Sequence, residues 1–230
     1  MRRETTVVSR RSIYKFLIDI IFPNRCPSCG RLIRWDGLVC GECEKKLPFA
    51  DMPKINIQSA EGTYTVFMYE GAVKDMIYAL KHGEGADNFA EFCAVKLCKI
   101  LRKEGIAEKI DIVTAVPMDR RKKRKRGCNQ AEVIARFVSK ELDKPRDFTL
   151  LERRAGNTEQ HTLSPGERRI HAREIYTSGK GRSGIKGKTA LICDDVITTG
   201  ATMSACCGLL LKQGAKAVYC CSAATSTYNA

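Results

Sequence analysis

The sequence predicts an α/β fold: a parallel sheet covered by helices on both faces, with a small metal-binding module ahead of it. Two observations carry that expectation. From Gly62 onward, short apolar or β-branched runs alternate with stretches whose apolar residues recur every three or four positions. That is the pattern of strands joined by crossover helices. Ahead of it, four cysteines fall in an 18-residue window as two Cys-x-x-Cys pairs. The expected division is residues 1–23 as an amphipathic helix, 24–50 as a four-cysteine zinc finger, and 51–230 as the α/β domain.

Composition bounds the class. A chain of 230 residues can bury roughly 70% of its unfolded surface, so it needs no disulfides to fold. Its 43% apolar content fits a globular protein. The net charge of +14 points to an anionic partner, either nucleic acid or an anionic substrate. The excess is local. Residues 112–187 hold 19 basic against 9 acidic side chains, including the unbroken run Arg120 to Arg126. A block of this kind suggests a particular anion rather than general solubility.

Taken in order, Ile13, Phe16, Leu17, Ile20 and Ile21 recur at helical spacing over 12–22, and Pro23 ends that helix. Lys15 and Asp19 interrupt the apolar run, so it is not the core of a secretory signal. No stretch of 18 apolar residues exists to span a bilayer. The expectation is a cytoplasmic protein with free thiols. Cys26, Cys29, Cys40 and Cys43 supply the four thiolates that tetrahedral Zn²⁺ favours, with Gly30 and Gly41 permitting turns of positive φ. Four thiolates leave no open position for water, so the zinc is structural. Thr63–Tyr69 reads as the first strand. Val73, Met76, Ile77 and Leu80 make a helical face, as do Phe89, Phe92, Cys93, Leu97 and Ile100. Asp111–Val116 is a short buried strand stopped by Pro117. Ala131, Ile134, Ala135, Val138 and Leu142 mark the next helix. Thr189–Cys193 is a further strand, Met203 to Leu210 a helix ended by Gly214, and Ala215–Ala224 the last strand.

In such sheets ligands bind at the carboxyl ends of the strands. The loop after strand 189–193 reads Asp194-Asp195-Val196-Ile197-Thr198-Thr199-Gly200-Ala201-Thr202. Thr198, Thr199, Gly200, Ala201 and Thr202 can aim backbone N–H groups and hydroxyls at a phosphate on a helix N-terminus. Asp194 and Asp195 are acceptors suited to vicinal sugar hydroxyls. An acid pair beside a phosphate cradle fits a ribose 5-phosphate.

This stretch resembles the phosphoribosyl-pyrophosphate (PRPP) motif of the type I phosphoribosyltransferases. Val116-Pro117, the basic run, Arg126-Gly127-Cys128-Asn129-Gln130-Ala131, Leu80-Lys81-His82, Gln160 with Arg169, and the four-cysteine finger are similar to the ComF family of competence-associated proteins. Cys128 stands where that family usually has an aromatic residue, and His171 where it has Asn. The resemblance implies a Rossmann-like parallel sheet of the type I phosphoribosyltransferase fold with a small N-terminal zinc-binding module. It also implies Mg²⁺ chelated by the pyrophosphate, Asp194 and Asp195 on the ribose 2- and 3-hydroxyls, and the 5-phosphate on Thr198–Thr202.

A pyrophosphate leaving group needs cations and donors. Arg126, Gly127 and Asn129 follow strand 111–116 and can provide them, while residues 120–125 are expected to be exposed. Lys81, ending its helix, either assists or caps that helix. Residues 153–173 form a long basic stretch with Gly and Pro, fit for a lid over PRPP. There Arg169 or Arg154 could neutralise the departing charge in a catalytic role. Two functions follow. One is Mg²⁺-dependent phosphoribosyl transfer from PRPP to an acceptor that the sequence does not identify. The other is a non-catalytic module sensing PRPP or another ribose 5-phosphate ligand. In that case the finger and basic run would meet single-stranded DNA or a DNA-processing protein, as the link of ComF-like proteins to DNA uptake implies.

Overall fold

The structure is a computed structural model that describes residues 19–50, 55–82, 87–154, 175–181 and 184–226. The expected helix over 12–22 lies mostly outside the described residues. Its last turn, 19–21, is helical, and Ile20, Ile21 and Phe22 are exposed.

Four parallel strands form the main sheet: β1 (Gly62–Met68), β2 (Ile112–Ala115), β5 (Thr189–Ile197) and β6 (Ala217–Thr225), in the order β1-β6-β5-β2. A short antiparallel pair, β3 (Leu151–Arg153) and β4 (Tyr176–Ser178), forms a second sheet. The helices are α1 (Gly41–Glu44), α2 (Gly71–His82), α3 (Asp87–Lys103), α4 (Arg120–Arg126), α5 (Gln130–Leu142) and α6 (Ala201–Lys212).

Both faces of the sheet are covered, and two neighbouring cysteines of β6 report it. Successive strand residues point to opposite faces. Cys220 meets Cys207 of α6, with sulfurs 3.3 Å apart. Cys221 meets Cys193 of β5 at 3.2 Å and lies near Cys98 of α3, whose thiol is pushed up to about 12 by burial first and by Cys221 next. Helix α6 therefore lies on one face and α3 on the other. Burial on both sides explains why β5 and β6 read as continuous apolar runs rather than alternating ones. Seven of the eight cysteines outside the finger serve this core as small apolar side chains: Cys93, Cys98, Cys193, Cys206, Cys207, Cys220 and Cys221 are buried, while Cys128 is partly exposed.

The open edges of the sheet are also covered. On the β1 side, Ala50 N–H donates to the Val66 carbonyl and Met68 N–H to the Pro48 carbonyl. Phe49 tilts against Phe67 at 4.9 Å between centroids. On the β2 side, Val113 N–H donates to the Pro145 carbonyl and Asp147 N–H to the Val113 carbonyl.

Two elements differ from expectation. The basic run is a helix, because Asp119 caps it and Gly127 ends it in the left-handed region at φ 78°. Strand β5 runs four residues beyond Cys193 to Ile197, so the acid pair belongs to the strand and not to the turn.

Candidate functional site

Adjacent strands end at different heights, and that difference makes the site. Ala115 closes β2 opposite Cys193, while β5 continues against β6 through Ile197. Beyond the end of β2 a cleft of about 210 Å³ opens. Asp194, Asp195 and Thr202 line it from β5 and α6. Lys122, Arg126, Asn129 and Gln130 line it from α4 and α5, and Arg153 and Tyr176 from the β3–β4 pair.

With no partner strand there, the β5 backbone turns to its own carboxylates. Asp194 Oδ1 accepts from Asp195 N–H at 2.9 Å, and Asp195 Oδ1 accepts from Val196 N–H at 2.8 Å. These bonds satisfy edge donors that would otherwise go unpaired, and they fix the direction of both carboxylates. Thr198 and Thr199 are exposed just past the strand. Gly200 then starts α6 with φ 74°, and no side chain caps that helix. Its first N–H groups are left for solvent or an anion. Besides admitting an anion, Gly200 makes room for packing beneath the loop. A Cβ here would lie 2.3 Å from Ile57 Cδ1, in a backbone conformation that side chains rarely adopt. Ile57, itself buried, packs beneath the loop.

On the opposite wall, Lys122 and Arg126 stand four residues apart on α4 and so share its cleft-facing side. Lys123 pairs with Glu132 at 2.7 Å and Arg120 with Glu152 at 3.6 Å. Arg121, Arg124 and Lys125 are exposed and have no acidic partner among the described residues. Asn129 is buried and braces the loop: its Nδ2 donates to the Val116 carbonyl at 2.9 Å, and its Oδ1 accepts from Ala131 N–H at 3.2 Å. Gly127 lies in the turn between α4 and α5, exposed and outside the cleft lining.

Several expected residues stand apart from this cluster. Arg154 is exposed, and its backbone N–H donates to the Ile175 carbonyl. Arg169 and the Lys81 side chain lie outside the described residues. Four polar lining residues were not among the predicted site residues: Lys122, Gln130, Arg153 and Tyr176. The i, i+4 spacing with Arg126 could have found Lys122. The others depend on the β3–β4 pair and the start of α5, which carry no comparable signal. Tyr176 is 5% exposed. Burial pushes its phenol up to about 12, against the opposing influence of Arg153 and the Thr202 hydrogen bond, so it stays protonated. Arg153 lies over its ring at 5.7 Å.

The finger gathers four sulfurs within 4.8 Å of one another, from Cys26, Cys29, Cys40 and Cys43. Cys29 and Cys40 sulfurs are 3.8 Å apart. Zn–S bonds of about 2.3 Å in a tetrahedron give sulfur separations of about 3.8 Å, so the quartet fits zinc. Burial opposes ionisation of Cys26, but backbone N–H donors from Cys40, Cys29 and Ser28 outweigh it and bring the thiol down to about 7. The Ser28 hydroxyl favours the Cys43 thiolate, yet burial and the three neighbouring sulfurs push it up to about 11. Four thiolates this close require a cation. Gly30 has the expected positive φ at 72°. Gly41 does not, because it begins α1.

Family models match in the same two places: a phosphoribosyl transferase domain over residues 128–227 and a double zinc ribbon domain over 17–54. The "DNA utilization protein YhgH" of Escherichia coli (strain K12) is 27% identical over 195 residues, covering 84% of this chain and 80% of that protein. "Competence protein F" of Haemophilus influenzae is 27% identical over 108 residues, 47% of each chain. The chain is similar to these DNA-utilization and competence proteins, and its two matched regions are those of a phosphoribosyl transferase domain and a double zinc ribbon. Its fold is the type I phosphoribosyltransferase sheet with an N-terminal module built for structural zinc. Among solved structures, a purine phosphoribosyltransferase from Pyrococcus horikoshii Ot3 aligns at a TM-score of 0.37 with 18% identity, covering 58% of this chain and 71% of that one. Among the described residues, no helix is long and apolar enough to cross a membrane.

Proposed function

We propose that this chain is a ComF-family protein that binds PRPP and transfers its phosphoribosyl group to an acceptor. The observation that carries the reading is the cleft itself, where two oriented carboxylates stand beside the uncapped N-terminus of α6. Asp194 and Asp195 accept the ribose hydroxyls. Thr198, Thr199, Gly200, Ala201 and Thr202 hold the 5-phosphate through backbone N–H groups and hydroxyls. Arg126, joined by Lys122, faces the pyrophosphate, and Asn129 with Gly127 shapes the turn that presents it. Lys81 remains a proposed contact to the same group. Mg²⁺ bound with PRPP would supply positive charge beside the leaving group, next to the cleft wall that carries Lys122 and Arg126. Arg169 and Arg154 are proposed to close over the site as pyrophosphate leaves, when positive charge develops on C1 and water must be excluded.

Calorimetry with PRPP and Mg²⁺ tests the reading. Asp194→Ala with Asp195→Ala should abolish binding while the circular dichroism spectrum is retained. Equal affinity in wild type and double variant would sink the assignment. Labelled PRPP incubated with cell extract, followed by isolation of the labelled product, identifies the acceptor.

A second reading rests on α4. Three exposed cations, Arg121, Arg124 and Lys125, have no acidic partner among the described residues and suit a phosphate backbone. The name of one relative, "DNA utilization protein", supports DNA as that partner, and single-stranded DNA or a DNA-processing protein is the proposed form. The two readings are compatible, since they use different faces of one helix.

A further inference from the structure

Two residues that line the cleft each hold a buried polar atom with no hydrogen-bond partner among the described residues: Gln130 Oε1 and Arg153 Nη2. Neither belongs to the residues that the phosphoribosyl motif supplies. Gln130 is 0% exposed and lines the cleft from the first turn of α5. Its Nε2 faces the Leu80 carbonyl at 3.4 Å and Cys128 Sγ at 3.6 Å. The carbonyl can only accept, so it dictates which end of the amide is nitrogen and leaves the oxygen on the other side. Arg153 is held by β3 pairing and lies over the Tyr176 ring, which fixes the plane of its guanidinium. Buried groups of this kind are normally paired. Two on the residues lining one cleft of about 210 Å³ mark positions that a ligand completes.

The chemistry of the two atoms differs, and so do their partners. Arg153 Nη2 is a cationic donor and needs an anionic oxygen. Gln130 Oε1 is a neutral acceptor and needs an N–H or O–H. PRPP offers two donors at neutral pH, its 2- and 3-hydroxyls, and Asp194 and Asp195 are suited to both. A third acceptor in the cleft therefore answers to a group that PRPP does not carry. We propose that Arg153 binds an oxygen of the departing pyrophosphate, and that Gln130 orients an acceptor substrate bearing an N–H or O–H on its attacking atom.

This rests on the phosphoribosyl-transfer reading and adds the substrate class to it. In the step itself, a lone pair on the acceptor nitrogen or oxygen forms the bond to C1. The bond from C1 to the pyrophosphate oxygen breaks, and its electron pair leaves with pyrophosphate. The proton shed by the acceptor ends on a pyrophosphate oxygen. The Gln130 carboxamide is too weak a base to take that proton, so its part is orientation.

The test uses three probes on the full chain: PRPP with Mg²⁺, inorganic pyrophosphate, and ribose 5-phosphate. The C1 hydroxyl of ribose 5-phosphate stands where the acceptor's attached atom would be and carries the O–H that PRPP lacks. Arg153→Ala should weaken PRPP and pyrophosphate by about tenfold or more, and ribose 5-phosphate by less than about twofold. Arg153→Lys should recover part of the loss. Gln130→Met keeps the volume of the side chain and removes its acceptor. It should weaken ribose 5-phosphate by about tenfold while PRPP changes by less than about twofold. Gln130→Met is read in place of Gln130→Ala, whose cavity would disturb the core, and each variant is checked by its thermal midpoint. Unchanged PRPP affinity in Arg153→Ala, or equal losses for PRPP and ribose 5-phosphate in Gln130→Met, overturns the proposal. If wild type binds none of the three probes, or Asp194→Ala with Asp195→Ala binds as wild type does, the underlying reading has failed instead.

Discussion

Gly200 shows how much one residue can carry in this protein. Its φ of 74° and the 2.3 Å approach of Ile57 Cδ1 both exclude a side chain. Gly200→Ala should cost about 1–3 kcal/mol in urea unfolding, the usual range for overpacking. Ile57→Ala removes the clashing methyl group, so the double variant should recover part of that loss. A double-mutant cycle measures the coupling, and strict additivity would count against the packing argument. Tyr176 gives a pH prediction. Its phenol is raised from 10.0 to about 12, chiefly by burial. A folded-state value above the unfolded one means that its contribution is fully present below pH 10. It is lost as pH rises through 10 towards 12. Wild type should therefore lose more stability than Tyr176→Phe across that window, as measured by denaturant titration at each pH. Matching pH profiles would show that the phenol is not shielded as the structure has it.

At the scale of elements, α4 divides its cations by direction. Lys122 and Arg126 face the cleft, Arg120 and Lys123 pair with acids, and Arg121, Arg124 and Lys125 face outward. Replacing the outward three with Gln should reduce the salt dependence of single-stranded DNA binding by about two in log–log slope. PRPP affinity should stay within about twofold of wild type. Filter binding across a salt series, beside calorimetry, separates the two effects. A change in PRPP affinity with no change in slope would reverse the assignment of faces. The helix exists at all because Asp119 accepts from Arg121 N–H at 2.9 Å and Lys122 N–H at 3.1 Å. Those donors, the Lys122 amide first, hold the Asp119 carboxyl below its ordinary value. Seven adjacent cations repel one another, and the cap and the left-handed Gly127 at the far end offset that repulsion. Sequence periodicity could not reveal this helix, because it has no apolar face.

Across the whole molecule, the zinc module is tied to the sheet it precedes. Asn88 Nδ2 donates to Asn24 Oδ1 at 2.6 Å, and Lys96 pairs with Glu44 at 2.5 Å. Residues 48–50 extend the β1 edge, and Ile57 reaches the phosphate loop. One zinc per chain is expected by metal analysis, and Cys26→Ser should lose it. Chelation should lower the melting temperature and weaken PRPP binding, because the covered edge and the support beneath Gly200 loosen together. Undiminished PRPP affinity in the metal-free protein would show that the two parts are independent. By itself the sequence determined the alternation of strands and helices, the four-sulfur finger and the acid pair with its glycine loop. Each of these is encoded locally, in a period or a spacing of a few residues. Only the tertiary structure decided the strand order, the overhang of β5 past β2 that opens the cleft, and the entry of Lys122, Gln130, Arg153 and Tyr176 into it. Arg153 and Arg154 are neighbours of identical chemistry, and nothing local distinguishes them. Side-chain alternation along β3 turns the first toward the cleft, and that alternation acquires a direction only once β3 has paired with β4 and packed on α6.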